Sequence, residues 1–136
     1  MSRIIQQTVT FTASPHEVYE ALMDSKQHAA FSHAAAEISR QVGGEFNAYD
    51  GYITGKNIEL VPDKKVLQSW RAVGWDEDHF STVTFELTPT PEGTRLDFTH
   101  ADVPAGTEEE FTRGWIDNYW DPLKIYLEKQ TAGRPK

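Results

Sequence analysis

Apolar residues recur at spacings of three and four between Thr107 and about Lys129. Phe111, Trp115, Ile116, Tyr119, Leu123, Tyr126 and Leu127 share one helical face, and Glu110, Arg113, Asp117, Lys124 and Glu128 share the other. The spacing predicts an amphipathic helix of ~23 residues, roughly 34 Å long, enough to cross a small sheet. Thr107 and Glu110 have the separation of a capping box at its start. Pro122 falls inside the stripe, where it removes a hydrogen bond to the Asn118 carbonyl. An interior proline costs about 3 kcal/mol, so a kink or a split is expected there. Such a kink lets the helix follow a curved sheet, or it is a hinge on which the second half lifts.

The period changes elsewhere. Residues 3–12 alternate loosely and include Ile4, Val9 and Phe11, which reads as a strand. Ser14-Pro15-His16-Glu17 then carries a cap, a first-turn proline and a capping-box glutamate, followed by a stripe of Val18, Tyr19, Leu22 and Met23. Residues 26–33 read as a second short helix or an irregular link. From 35 to 102, Gly43-Gly44, Asp50-Gly51, Pro62-Asp63 and Pro91-Glu92-Gly93 punctuate runs of strand length. The clearest strands are Val66–Ala72, His79–Thr88 and Thr94–His100. Val83, Phe85 and Leu87 alternate with polar residues in one, and Leu96, Phe98 and His100 do so in another. Period-two alternation predicts one buried and one solvated sheet face.

The expected fold is therefore α+β: a curved antiparallel sheet wrapped around a long C-terminal helix, with a short N-terminal helix pair. Residues 1–136 are expected to be a single domain, with 131–136 fraying.

Composition narrows the function classes. Thirteen Lys and Arg against 21 Asp and Glu give a formal charge of −8, a field that repels nucleic-acid phosphates and anionic lipid surfaces. Neither nucleic acid nor membrane is an expected partner. The chain has no cysteine, which removes thiol catalysis, thiolate metal sites and disulfides and fits a reducing cytoplasm. The start of the chain turns polar after Ile4 and Ile5, too soon for a signal peptide, and no apolar run approaches the ~20 residues that span a bilayer. A cytoplasmic protein is expected.

Catalytic constellations are sparse. His28 and His33 are five apart, on different helical faces, and His100 with Asp102 falls short of the ligands a zinc site needs. His79 is a further candidate across a hairpin, in a register that nothing fixes. There is no G-x-S-x-G and no phosphate-binding glycine pattern. The acidic trio Glu108-Glu109-Glu110 is accounted for by a helix N-terminus. No metal, no cofactor and no enzymatic activity are expected. What stands out is aromatic residues, at 12% of the chain. Most suit a core. Trp75, in the polar run Gly74-Trp75-Asp76-Glu77-Asp78, is either an exposed binding anchor or a ring tucked over the sheet end.

Ala13-Ser14-Pro15-His16-Glu17-Val18-Tyr19, Gly43-Gly44-Glu45-Phe46, Leu60-Val61-Pro62, Ser69-Trp70-Arg71, Ser81-Thr82-Val83-Thr84, Val103-Pro104 and Gly114-Trp115 occur in an order and spacing that resembles the activator of heat-shock protein 90 ATPase family. Phe31-Ser32-His33-Ala34, Asp50-Gly51 and Val61-Pro62-Asp63-Lys64 extend the likeness to the C-terminal domain of the eukaryotic co-chaperone, over about residues 8–127. The resemblance implies the START-like helix-grip fold of the polyketide cyclase superfamily and a role in binding. The Asn-Lys-Asn-Asn-Trp-His-Trp signature of the co-chaperone's other domain has no match in these residues, which weighs against full ATPase stimulation.

Three functions follow as expectations. The first is a non-catalytic, co-chaperone-like module that binds a heat-shock protein 90 homologue, with Trp75 and Trp120 as exposed anchors. The second is a carrier or sensor holding a small hydrophobic ligand under the long helix, lined by Trp70, Phe85, Phe98, Trp115, Tyr119 and Leu123. The third and weakest is a cyclase- or hydratase-type enzyme using His100 or Asp102.

Overall fold

The structure is a computed structural model that describes residues 4–75 and 79–132, with side chains described through residue 129. Its sheet has seven strands in the order β1-β7-β6-β5-β4-β3-β2. These are β1 (Ile4–Phe11), β2 (Glu37–Ile38), β3 (Glu45–Ala48), β4 (Ile53–Val61), β5 (Lys65–Ala72), β6 (Ser81–Thr90) and β7 (Gly93–Ala101). Every neighbouring pair is antiparallel. From β2 to β7 the chain is a meander, and β1 closes the far edge beside β7.

The alternation read from the sequence is kept. Val66, Gln68, Trp70 and Ala72 of β5 are buried, as are Ser81, Val83, Phe85 and Leu87 of β6 and Thr94, Leu96, Phe98 and His100 of β7. The register sets Phe85 opposite Phe98 and Leu87 opposite Leu96, so the inner faces form continuous apolar rows. His79, expected to open the strand, lies just ahead of β6 and outside it.

Helix α1 (Pro15–Met23) starts where predicted. Ser14 accepts from the Glu17 amide and Glu17 reaches back to the Ser14 amide, closing the capping box. Its buried Val18, Ala21 and Leu22 face pack on β6 and β7. The link at 26–33 is a helix, α2 (Ser25–Ser32), capped by Asp24 and ended by His33 in the left-handed region at φ 59°. It packs on the C-terminal helix.

The long helix is present but is not one α-helix. It runs as α3 (Glu108–Trp115), a π-helical turn (Ile116–Trp120) and α4 (Asp121–Ala132). The Asp121 amide bonds to the Ile116 carbonyl, five residues back, and Pro122 has no amide to return to Asn118. The expected kink is therefore a change of helical winding just before the proline. A π turn inserts one residue, so the buried face jumps by one position: Phe111 and Trp115 are buried before it, Tyr119 and Trp120 side by side within it, and Leu123 and Leu127 after it. Two expectations fail for this reason. Ile116 leaves the core at 39% exposure, and Trp120, expected as an exposed anchor, is buried at 2% and donates to the Gln7 side chain at 2.7 Å.

The capping box at Thr107 also does not form. The Thr107 hydroxyl donates to the Pro104 carbonyl at 2.6 Å, and no side chain of Thr107 caps the helix. Helix α4 continues to Ala132, and the rest of the tail expected to fray, 133–136, lies outside the described residues, as do positions 76–78 of the Trp75 loop.

Candidate functional site

Between the inner face of the sheet and the helices lies a cavity of about 580 Å³. Successive inward positions of β5 supply Gln68 and Trp70, and β6 supplies Phe85. Strand β3 brings Phe46 and Ala48, α2 brings His28, and the broken helix brings Phe111, Trp115 and Tyr119. The volume exceeds the ~300 Å³ at which small-molecule pockets begin.

Of the residues expected to line a ligand, Trp70, Phe85, Trp115 and Tyr119 do so. Phe98 and Leu123 do not. They sit at 2% and 0% exposure in the packed core behind the cavity, where Phe98 meets Trp115 at 4.4 Å between ring centroids.

One wall rests on a closed hydrogen-bond chain. The Trp115 indole N–H donates to His100 Nδ1 at 3.0 Å, which leaves the ring proton on Nε2. His100 Nε2 then donates to Ser81 Oγ at 2.7 Å, and the Ser81 hydroxyl donates to the Trp70 carbonyl at 2.8 Å. His100 is fully buried, and burial holds its imidazole down to about 3. Both nitrogens are engaged and the ring is not part of the cavity wall, so His100 has no free position from which to act on a substrate. Asp102 is exposed, with a positive φ of 65°, and its carbonyl accepts from His79 Nε2 at 2.8 Å.

His28 is different. It lines the cavity at 3% exposure, packed against Phe31, Tyr119 and Tyr49, and its Nδ1, closed off from solvent, has no hydrogen-bond partner among the described residues. Burial pushes the ring down to about 4, opposed only by its own backbone, so it is neutral at physiological pH.

A hydrogen bond joins the cavity's two sides. The Tyr49 hydroxyl, just ahead of the Asp50-Gly51 turn, donates at 2.8 Å to the Asn118 carbonyl, the group that Pro122 leaves without its helical donor. Burial raises the Tyr49 phenol above its usual range, so it stays a donor. Tyr49→Phe is expected to cost about 1 kcal/mol in urea unfolding and to speed amide exchange across residues 116–122. Unchanged exchange there would mean that the bond does not hold the turn.

Trp75 is half-buried. Its ring lies 5.6 Å from Trp70, 5.5 Å from Phe111 and 5.2 Å from His79, partly buried over the sheet end. His28, Tyr49 and Phe46 were not among the expected lining residues. The apolar pattern of α2 is too weak to mark His28, and Tyr49 is aimed by a turn that only the tertiary structure defines.

Sheet order, grip by the broken helix and the cavity between them define a START-like helix-grip domain. Comparison with known proteins is more specific. The family model for Activator of Hsp90 ATPase homolog 1-like protein matches residues 12–128, and the chain belongs to that family. It is 35% identical over 115 residues to Activator of 90 kDa heat shock protein ATPase homolog 1 of Mus musculus, covering 85% of this chain and 34% of that protein. The chain thus spans about a third of the curated relative's length. Among solved structures, it is similar to an HSP90 activator from Plasmodium falciparum, with a TM-score of 0.84 and 28% identity over 94% of this chain and 96% of the other. A protein of Mesorhizobium loti shares the fold at a TM-score of 0.78 and 21% identity, over 93% and 98% of the two chains. No helix among the described residues is long and apolar enough to cross a membrane.

Proposed function

We propose that this chain is a single, non-catalytic, co-chaperone-like domain that binds a heat-shock protein 90 homologue in the cytoplasm. The observation that supports it most is the continuous likeness to a named activator of that chaperone's ATPase over 85% of the chain. The engagement of both His100 nitrogens inside the core favours binding over catalysis. The half-buried Trp75 ring is the anchor, because a large aromatic already packed on its neighbours loses little freedom on docking. An amide NMR titration with the host's chaperone homologue, with and without nucleotide, tests this. Site-specific broadening around Trp75 is expected, and Trp75→Ala is expected to weaken binding about tenfold at unchanged fold. No perturbation in any nucleotide state would overturn the proposal.

A second reading is favoured by a separate observation, the cavity of about 580 Å³ lined by Trp70, Phe85, Trp115 and Tyr119. On this reading the domain also carries or senses a small hydrophobic ligand. The two are compatible, since the cavity and the Trp75 ring share Trp70 and Phe111 as neighbours.

A further inference from the structure

An inner strand of an antiparallel sheet spends its backbone groups on both neighbours. At a sheet edge, alternate residues turn their N–H and C=O groups outward, where a further strand pairs with them. The two edges of this sheet are treated differently. One is β2, no more than Glu37 and Ile38, a length that offers little to pair with. The other is β1, which pairs with β7 from Ile4 opposite Ala101 to Phe11 opposite Thr94 without a bulge. Its sequence, Ile4-Ile5-Gln6-Gln7-Thr8-Val9-Thr10-Phe11, contains neither a charge nor a proline, the residues that commonly blunt an open edge. Beyond the ladder with β7, no backbone hydrogen bond reaches β1 among the described residues.

Ile116 stands beside that edge. The Gln7 side chain donates to the Thr112 carbonyl at 3.0 Å and accepts from Trp120 Nε1 at 2.7 Å, so it holds the helix one turn to either side of Ile116. Around the helix axis, Trp115 points at Phe98 of β7 and Thr112 lies over β1, while Ile116 is about 40° further in the same direction. Its side chain therefore emerges past β1, at 39% exposure, where the next strand of the sheet would lie. The exposed residues flanking it on the helix, Glu109 and Arg113, are opposite in sign, so the choice of charge falls to the chain as a whole, at −8. That field opposes a second copy of this chain and favours a basic partner.

We infer that the open edge of β1, with Ile116 beside it, takes up an extended segment of a basic partner protein as an eighth strand of the sheet. Main-chain hydrogen bonds to β1 supply the affinity, and an apolar side chain on the inner face of the added strand packs on Ile116. The site is independent of the two readings above, whose residues lie around Trp75 and in the cavity.

The test uses the peptide acetyl-Lys-Val-Thr-Val-Thr-Val-Lys-amide, titrated into the labelled protein and followed by amide NMR shifts and amide exchange. Shifts are expected along Ile4–Phe11 and at Ile116, and alternate β1 amides are expected to exchange at least about tenfold more slowly with the peptide bound. The same peptide N-methylated throughout keeps its side chains and loses its donors, and its counterpart with glutamate for lysine reverses its charge. Each is expected to bind at least about tenfold more weakly. Ile116→Ser, at an exposed position, is expected to leave the fold intact and weaken the parent peptide about fivefold. Absence of β1 shifts, or equal binding of the N-methylated peptide, would overturn strand addition. Equal binding of the glutamate peptide would overturn the preference for a basic partner, and unchanged binding to Ile116→Ser would remove that residue from the site. Sedimentation of the protein alone is expected to show no association through β1, and a dimer with protected β1 amides would assign the edge to a second copy instead.

Discussion

Acidification from about pH 7 to about pH 5 is expected to remove about 4 kcal/mol of folding stability, well before most carboxylates take up protons. His28 and His100 are both held neutral by burial, with ordinary values of 6.5 lowered to about 4 and about 3. Below 6.5 the unfolded chain protonates at both positions and the folded one does not, so the unfolded state binds more protons. Their contribution is complete above 6.5 and is lost as the pH falls toward about 4 and about 3. Each pH unit in that window costs about 1.4 kcal/mol per ring. Against a total of about 5–15 kcal/mol for a domain, the loss is large. His16 acts in the opposite sense, since its bond to Asp63 raises its value, but both groups lie in solvent and the effect is screened. Urea midpoints at several pH values between 7 and 5 give the slope, and the imidazole carbon-bound proton shifts assign it. A flat midpoint over that range, or His28 and His100 resonances that titrate near 6.5, would contradict the burial of these rings.

Removing the Trp115 ring is the second large effect. The indole touches Phe98, Tyr119, Trp120, Trp70 and His100, at centroid separations from 4.4 to 5.7 Å, and lines the cavity as well. Trp115→Ala is expected to cost about 4 kcal/mol, from lost transfer energy and the void left behind. Trp115→Phe keeps most of the apolar contact and deletes the donor to His100 Nδ1. It is expected to cost about 2 kcal/mol, chiefly from leaving that buried lone pair unmatched. The measurement is urea unfolding of both variants. If phenylalanine and alanine cost the same, the hydrogen bond rather than packing dominates. If both fall under about 1 kcal/mol, Trp115 does not organise this core.

The sheet was legible because strands β5, β6 and β7 each have one wet face, and alternation reports that directly. Ser14-Pro15-His16-Glu17 was legible because a capping box is local. The helix was legible as an element and not in its winding. Pro122 signalled an irregularity but not its form, and Tyr49, distant in sequence, donates to the carbonyl that the proline leaves free. A uniform period of 3.6 carried across that turn puts Ile116 inside and Trp120 outside, and the structure reverses both. Thr107 had the right spacing for a cap, yet its hydroxyl is drawn to Pro104 in the preceding turn. The candidate site was legible as far as aromatic residues on the inner strands and the helix mark it. His28 was not, because α2 buries only His28 and Phe31, too few positions to establish a face.

A π turn holds one residue more than an α turn, so it separates the length of this helix from the angular phase of its halves. Within a continuous α-helix, adding or deleting a residue rotates everything beyond it by about 100° and would carry Leu123 and Leu127 out of the core. Here the extra residue sits between the half that packs on β1 and the half that packs on α1 and α2. Related chains can therefore differ by one residue at this point, winding the turn up or letting it out, while both halves keep their partners and the cavity between them changes shape.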